Sequence, residues 1–287
     1  MFQYAAGRTL AARHETHLAL ERSWIDQPSP LEPRRFDLGC FEVDVPLKRI
    51  GELARVSTAS RRPRLRALAS WRLPAVTVLE ENRSQDRVPG FHAATDNTYL
   101  RGFWQRVGYF QEAEPLLRQD FVFRNRPSAT TEALAERVLA APQTASIHVR
   151  RQDYTITFNR ARLGLLAPGY FERAIALIAE RVGPLHLFVI SDDPDWCRAQ
   201  LRFHHETTIV GANPPERAWE ELYLMSLCNH HVIANSTFGW WGAWLDPRPD
   251  KLVVAPRPWF VDPRFTHDED RTPADWIRID RGAPDES

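Results

Sequence analysis

Residues 230–245 have the sequence HHVIANSTFGWWGAWL, in which a short β-branched run leads directly into the start of a helix. The pattern predicts a strand that ends at Ala234 and a helix that opens at residues 235–237. Free backbone N–H groups and hydroxyls at such a helix start can bind phosphate. Tryptophans are costly to expose, so we expect the indoles to pack in the core and the hydroxyls to face a ligand. His230 and His231 have no further ligands at metal spacing, and we expect them at a helix end and a strand start.

Further short apolar runs surround this segment, and helical stretches separate most of them. The strand-like runs are residues 145–149, 185–190, 207–210, 231–234 and 252–255, and the helical stretches are 168–181, 194–201 and 215–228. Strands that alternate with helices predict a parallel sheet with helices on both faces. In such sheets ligands bind at the carboxyl ends of the strands, so the residues there are the candidates for chemistry.

The first half of the chain is less regular. We predict a helix over residues 2–13, a strand over 16–20 and a helix over 132–140. Three prolines interrupt residues 27–33, and the arginine-rich stretch 56–72 is expected to be irregular or a surface helix.

One strand of the second half delivers Arg150-Arg151-Gln152-Asp153-Tyr154 to the ligand-binding edge. Charged side chains at the end of a buried strand are rarely buried without partners. One interpretation is an anion clamp, in which an arginine binds a diphosphate and neutralises the charge that develops as a sugar leaves. The alternative is a surface turn in which Arg151 pairs with Asp153. The local sequence supports both.

The next strand ends in Ser191-Asp192-Asp193-Pro194. Asp193 is suited to cap a helix whose first residue is Pro194, and we consider this role first. Contact of the two carboxylates with a ribose or base is the second interpretation, and metal binding by the acidic pair is the third.

Composition narrows the class of function. The formal net charge is zero, with 37 basic and 37 acidic residues, which offers no electrostatic basis for binding nucleic acid. The three cysteines lie far apart without disulfide or zinc spacing, so a reducing compartment fits them. No apolar stretch approaches the roughly 18 residues of a membrane span, and the first residues lack the apolar core of a signal peptide. We therefore expect a cytoplasmic protein.

Five segments that follow one another along the chain form recognisable motifs. Residues 148–153 read HVRRQD, and residues 235–245 read NSTFGWWGAWL. The other three are ELYLMSLC at 221–228, LRGFWQ at 100–105 and MFQYAAGRTL at 1–10. Together they resemble the motifs of the α-1,2-fucosyltransferases, glycosyltransferase family eleven, with Gly239 at a position where serine is common.

The resemblance implies a GT-B architecture, in which two Rossmann-like α/β domains face each other across a cleft. Residues 1–142 would form the N-terminal, acceptor-side domain, and residues 143–287 the C-terminal domain that binds the GDP-sugar. It also implies an inverting transfer of L-fucose from GDP-fucose to the 2-hydroxyl of a β-galactoside, without a metal or other cofactor. The acceptor would be a galactose-containing bacterial surface glycan or a lipid-linked oligosaccharide, which is compatible with peripheral association with the inner membrane.

The matching positions imply a role for each candidate residue. Arg150 would contact the pyrophosphate, while His148 and Asp153 would support the same loop, and Asp153 is also a candidate general base. The start of the helix at residues 236–238 would meet the phosphates from the other side. The catalytic candidates are therefore Arg150, Asp153 and His148, and the donor-binding candidates are Arg150, Arg151, Asp192, Asp193, Asn235, Ser236, Thr237 and Phe238. Asp192 and Asp193 are included because of their place at a strand end.

Two alternatives to α-1,2-fucosyl transfer stay open. One is transfer from the same donor to another hydroxyl, such as an α-1,6 linkage, and the other is non-catalytic binding of a sugar or nucleotide. The sequence also opens inside the family's N-terminal motif, Gly-x-Gly-Asn-Gln-Met-Phe-Gln-Tyr-Ala-Ala-Gly. From the resemblance we expect that the initial strand and the Gly-rich turn are missing, and that the 287-residue chain is poorly stable and weakly active or inactive.

Overall fold

The computed structural model describes residues 1–23, 25–26, 35–48, 76–81, 87–265 and 270–282. The chain divides into two compact units, Met1–Arg124 and Asn125–Ser287. This division lies ahead of the helix near residue 130, whereas the boundary expected from the sequence follows residue 142.

The first unit is organised around helix α1 (Phe2–Arg13), whose bounds agree with the predicted ones. The helix buries its aromatic residues, with the ring of Phe2 against Phe110 and the ring of Tyr4 against Phe121. The described residues of this unit also form β1 (Leu20–Glu21), β2 (Leu47–Lys48), β3 (Thr77–Glu80), β4 (Thr98–Arg101) and α2 (Glu114–Asp120).

The strands of the first unit form two short parallel pairs, β1 with β2 and β3 with β4. The strand predicted over residues 16–20 is wrong in its bounds, because only Leu20 belongs to β1. The expectations for residues 27–33 and 56–72 lie outside the described residues.

The second unit alternates helices and strands. Its elements are α3 (Ala129–Ala140), β5 (Thr144–Val149), α4 (Thr157–Leu163), α5 (Pro168–Val182), β6 (His186–Ser191), α6 (Pro194–Gln200), β7 (Glu206–Ile209), α7 (Trp219–Leu227), β8 (His230–Ile233), α8 (Thr237–Leu245), β9 (Val253–Arg257) and β10 (Ile277–Asp280). The α/β class is therefore confirmed. The prediction missed β10, and the helix predicted from residue 215 begins with a 3-10 turn and becomes α-helical at Trp219.

The six strands of this unit form one parallel sheet in the order β10-β9-β8-β5-β6-β7. The chain runs outward from β5 to β7, then returns to place β8 on the other side of β5 and runs outward again. Strand order thus reverses between β5 and β8. A reversal of this kind opens a crevice at the carboxyl ends of the two strands, where ligands of open α/β sheets bind.

Apolar side chains from the strands and from α5 form the core of the second unit. Ile147, Val189 and Val232 lie on the three central strands and pack with Phe171 and Ile175 of α5. Trp240, Trp241 and Trp244 of α8 are buried as well, which confirms the prediction that this cluster is structural. Burial of aromatic side chains on this scale is a major contribution to stability.

A buried polar network joins β5, β8 and the end of α8. Ser146 Oγ lies 2.8 Å from His231 Nδ1, and His231 Nε2 lies 3.0 Å from Asp246 Oδ2. The three side chains resemble a hydrolytic triad, but all are fully buried, so no substrate can reach them. Burial lowers the pKa of His231 to about 4, even though the bond to Asp246 opposes this shift.

A second buried carboxylate attaches α3 to α7. Glu220 accepts hydrogen bonds from the Ser128 N–H, at 3.2 Å, from the Ser128 hydroxyl, at 2.7 Å, and from Thr131, and it also pairs with Arg217. Ser128 caps the N-terminus of α3. This attachment explains why α3 belongs with the second unit, although its sequence precedes the sheet.

Candidate functional site

Three loops lie side by side at the carboxyl edge of the sheet, following β5, β6 and β8. The β5 loop contains Arg150–Tyr154, the β6 loop contains Asp192 and Asp193, and the β8 loop runs through Asn235 into α8. The sequence-predicted site residues are thus brought together around the point where strand order reverses.

Arg150 is held by two carboxylates from different loops. Its Nε donates to Asp153 Oδ1 at 2.7 Å and lies 3.3 Å from Asp192 Oδ2. Burial opposes its charge, but the bond to Asp153 and the charge of Asp192 raise the pKa of the guanidinium above its ordinary value. Arg150 is therefore a fixed, permanently charged group, with part of its side chain accessible.

Arg151 has a different environment from Arg150. Its side chain is only 5% exposed, its guanidinium carbon lies 3.9 Å from the centre of the Trp196 ring, and Nε lies 3.6 Å from Asp193 Oδ2. The surface turn considered from the sequence therefore differs from the structure, in which Asp153 pairs with Arg150 and Arg151 is buried. Stacking on an indole restricts a guanidinium to one orientation, so Arg151 joins the β5 loop to α6.

The β6 carboxylates organise the loops in two ways. Asp192 accepts the backbone N–H groups of Arg151, at 2.9 Å, and Gln152, at 3.1 Å. Burial raises the pKa of Asp192, with the charge of Arg150 and these two N–H groups opposing the shift. Asp193 accepts the N–H of Trp196 at 3.1 Å as the N-cap of α6, with Pro194 at the first helical position. This confirms the capping role predicted for Asp193.

His148 lies beneath these loops. It is 3% exposed, its ring stacks on Phe238 with centroids 5.5 Å apart, and within the described residues Nδ1 has no hydrogen-bond partner. Burial and the nearby charge of Arg150 lower the pKa of His148 to about 3, so the imidazole is neutral at physiological pH. These properties favour a supporting role over proton transfer.

The position of His148 gives a physical reason for Gly239. A Cβ atom at residue 239 would lie 2.7 Å from the Cγ and Nδ1 atoms of His148, closer than such atoms approach in proteins.

Asn235 and Ser236 fix the start of α8. The Asn235 amide donates to the carbonyl oxygens of Leu163, at 2.8 Å, and Trp259, at 2.9 Å, and Tyr154 Oη donates to the Asn235 carbonyl at 2.9 Å. Ser236 is the N-cap, and its hydroxyl accepts the Phe238 N–H at 3.3 Å. The Asn235 side chain is thus committed to structure, while Thr237 and Phe238 are partly exposed at the helix start.

The sequence reasoning missed Glu221, in the first turn of α7. Its carboxylate accepts the N–H of Asn213 at 3.0 Å and is close enough to Asp192 and Arg150 to interact electrostatically. Burial, aided by Asp192, raises the pKa of Glu221 to about 7 against the effects of Asn213 and Arg150. A carboxyl with such a pKa in a crevice is a candidate functional group. Its motif, residues 221–228, was visible in the sequence, but nothing there connects it to Arg150.

The described residues contain no group of three or more His, Cys, Asp or Glu side chains that could hold a metal ion. This part of the chain also contains no helix that is long and apolar enough to span a bilayer.

Comparison with known proteins shows which family the chain resembles. The family model for glycosyl transferase family 11 matches residues 81–280. The chain is 32% identical over 185 residues to an α-1,2-colitosyltransferase of Escherichia coli, covering 63% of this chain and 62% of the relative. It is 38% identical over 119 residues to the O-antigen biosynthesis glycosyltransferase WbnK of Escherichia coli, covering 41% of this chain and 39% of the relative. It is 33% identical over 148 residues to the galactoside 2-alpha-L-fucosyltransferase SEC1 of Bos taurus, covering 51% of this chain and 36% of the relative.

A solved structure is also similar to the chain. The NodZ α-1,6-fucosyltransferase, soaked with GDP-fucose, matches 85% of this chain and 87% of its own with 17% identity and a TM-score of 0.46.

The fold and the arginine-bearing loops define a Rossmann-like α/β protein with its candidate site at the switch point of a parallel sheet. The chain belongs to glycosyl transferase family 11. The matched segments span about two thirds or less of the relatives' own lengths.

Proposed function

We propose that this protein transfers L-fucose from GDP-fucose to the 2-hydroxyl of a β-galactoside, with inversion and without a metal ion. The names of two relatives support the α-1,2 linkage, and one of them also names fucose and a galactoside. The observation that carries the proposal is the meeting of the Arg150 loop and the start of α8 at neighbouring strand ends.

This arrangement suits a nucleoside diphosphate leaving group. As the fucose–phosphate bond breaks, negative charge develops on the diphosphate and must be met by pre-positioned donors. Arg150 is held at one side of the crevice by Asp153 and Asp192. On the other side lie the N–H groups of the first turn of α8, which contribute donors and the positive end of the helix dipole. Rigid donors need no reorganisation during the reaction, which is the main source of their catalytic effect.

The remaining candidates would support these groups. Asp153 would hold Arg150 and stand as the candidate general base for the acceptor hydroxyl, whereas the neutral, buried His148 would shape the floor of the site. Asp192 would keep the β5 loop in place through the N–H groups of Arg151 and Gln152.

The test is GDP release from GDP-fucose over a panel of β-galactosides, followed by linkage analysis of the product. We expect acceptor-dependent GDP release, an α-1,2 product, and full activity in excess EDTA, because an arginine and helix N–H groups take the electrostatic role of a metal. An α-1,6 product would show that the protein transfers fucose to a hydroxyl other than the proposed 2-hydroxyl. GDP-fucose binding without turnover on any acceptor would favour a binding protein. Activity lost in EDTA and restored by manganese or magnesium would contradict metal independence.

A second candidate is α-1,2-colitosyl transfer, which the similarity to the colitosyltransferase over 63% of this chain favours. Colitose is L-fucose without its 3-hydroxyl, so the two donors differ by one polar group. A site built to bond that hydroxyl rejects the deoxy sugar strongly, whereas an apolar site discriminates weakly. Competition between GDP-fucose and GDP-colitose for one acceptor therefore separates the two functions.

A further inference from the structure

The acidic side chains next to Arg150 outnumber its single positive charge. Its guanidinium is paired with two carboxylates, Asp153 at 2.7 Å and Asp192 at 3.3 Å, and Glu221 adds a third acidic group nearby. A diphosphate carries two or more negative charges, and the carboxylates paired with Arg150 offset part of the attraction that its guanidinium supplies. A further cation at the same edge would restore that attraction.

Arg162 lies at that edge, in the last turn of α4. Its carbonyl accepts the N–H groups of Val261, at 3.0 Å, and Asp262, at 3.3 Å, and the next carbonyl, that of Leu163, accepts the Asn235 amide. The end of α4 is thus attached to the loops that follow β8 and β9. Both Arg162 and Arg150 interact electrostatically with Tyr154, so the two arginines are neighbours of one side chain.

Two aromatic rings flank the guanidinium of Arg162. Its carbon lies 5.2 Å from the centre of the Phe260 ring and 4.7 Å from that of Phe265. Within the described part of the chain it makes no hydrogen bond or ion pair, and its buried Nε has no partner. The nearby Asp262 is already engaged by Arg264, at 2.6 Å.

The two rings orient the guanidinium of Arg162. Stacking on aromatic rings orients a guanidinium but leaves the N–H groups at its edge unsatisfied. An unpaired buried donor is unfavourable until a ligand supplies an acceptor. Burial also lowers the pKa of Arg162, with the electrostatic interactions with Tyr154 and Asp262 opposing the shift.

We propose that Arg162 is a second cationic contact for the diphosphate of the donor nucleotide, in addition to Arg150. The proposal rests on the proposed function, since it names a further residue for the same nucleotide. In this arrangement Arg150 is a positioned charge and Arg162 supplies the uncompensated one.

The experiment is calorimetric binding of GDP and guanosine to the wild type and to Arg162→Gln, with Arg198→Gln as control. Arg198 pairs with Asp195 on the exposed face of α6, so its loss changes net charge equally without touching the crevice. We expect Arg162→Gln to weaken GDP binding about 10- to 100-fold, the usual range for a hydrogen bond to a charged group. Guanosine binding should not change, and Arg198→Gln should bind GDP as the wild type does.

Arg162→Lys provides the second variant. Lysine keeps the positive charge above the aromatic rings but lacks the planar set of N–H donors of a guanidinium. We therefore expect weaker GDP binding at an unchanged melting temperature. GDP affinity within twofold of wild type in both variants would overturn the proposal, as would an equal loss of GDP and guanosine binding. If Arg162→Gln does not fold, the lysine variant decides alone. A wild type that binds no GDP would instead overturn the proposed function.

Discussion

Replacing Glu221 with glutamine should stabilise the second unit at neutral pH. The pKa of this carboxyl is raised from 4.5 to about 7, so the folded state holds its proton more tightly than the unfolded chain does. A raised acid pKa means that stability is greatest below pH 4.5 and is lost progressively as pH rises toward 7. Above pH 7 the ionised carboxylate lies in a site that disfavours it.

The size of the effect follows from the pKa values. The interval between 4.5 and about 7 corresponds to about 3 kcal/mol at 1.36 kcal/mol per pH unit. Because Glu221 is partly solvated, we expect glutamine to recover roughly 1–2 kcal/mol of this, or a few degrees in melting temperature for a domain of this size. The glutamine oxygen can still accept the Asn213 N–H, so the substitution removes charge rather than a hydrogen bond.

The neighbouring glutamate is the matched control. Burial opposes ionisation of Glu220, but hydrogen bonds from Thr131, Ser128 and Arg217 lower its pKa, so Glu220→Gln should destabilise the protein at neutral pH. Thermal unfolding of both variants and the wild type at pH 4.5, 6, 7 and 8 measures the difference. The stability that Glu221→Gln gains over the wild type should shrink toward zero at pH 4.5. A loss of stability in Glu221→Gln, or a gain that is the same at every pH, would refute the electrostatic reasoning.

Three further predictions concern single side chains. Arg150→Lys keeps the charge but loses the planar fork, so turnover measured by GDP release should fall roughly 10²–10³-fold; near-normal activity would contradict the clamp. Because burial lowers the pKa of His231 to about 4, urea unfolding should show a loss of roughly 2–3 kcal/mol of stability as pH falls from 6.5 to 4, and His231→Gln should reduce this slope. Gly239→Ser should cost about 1–3 kcal/mol through its clash with the His148 ring, and His148→Ala should restore the loss in the double variant. A serine variant as stable as the wild type would show that the ring can move aside.

Elements that carry their own local signals could be predicted from the sequence. Helix α1 and the strands β5, β6 and β8 were recognised, because each has a run of apolar residues that is buried in the structure. Strand β10 was missed, since Ile277-Arg278-Ile279-Asp280 alternates at the edge of the sheet and has little apolar signal. The strand expected at residues 16–20 failed for a related reason: a two-residue pairing depends on its partner, not on local propensity.

The site residues likewise divide into those with a local sequence signal and those that depend on contacts distant in sequence. The motifs identified Arg150 and the start of α8, which lie at strand ends that the sequence reveals. The sequence also placed Asp192 at this edge, but its pairing with Arg150 could not be predicted. Glu221 and Arg162 reach the surroundings of Arg150 only through the sheet order and through loop contacts. In particular, nothing local distinguishes Arg150, which pairs with Asp153, from Arg151, which stacks on Trp196.

The reversal of strand order has a consequence for folding. Strand β5 pairs with β6 after one helical crossover, but its other partner, β8, follows far later in the chain, with Ala145 beside His230. Closing so long a loop is entropically costly, and pairings of high sequence separation form slowly. A folding chain that has assembled only β5, β6 and β7 therefore holds the Arg150 loop without the start of α8 beside it. The acquisition of nucleotide binding during refolding should accordingly report the insertion of β8 into the sheet.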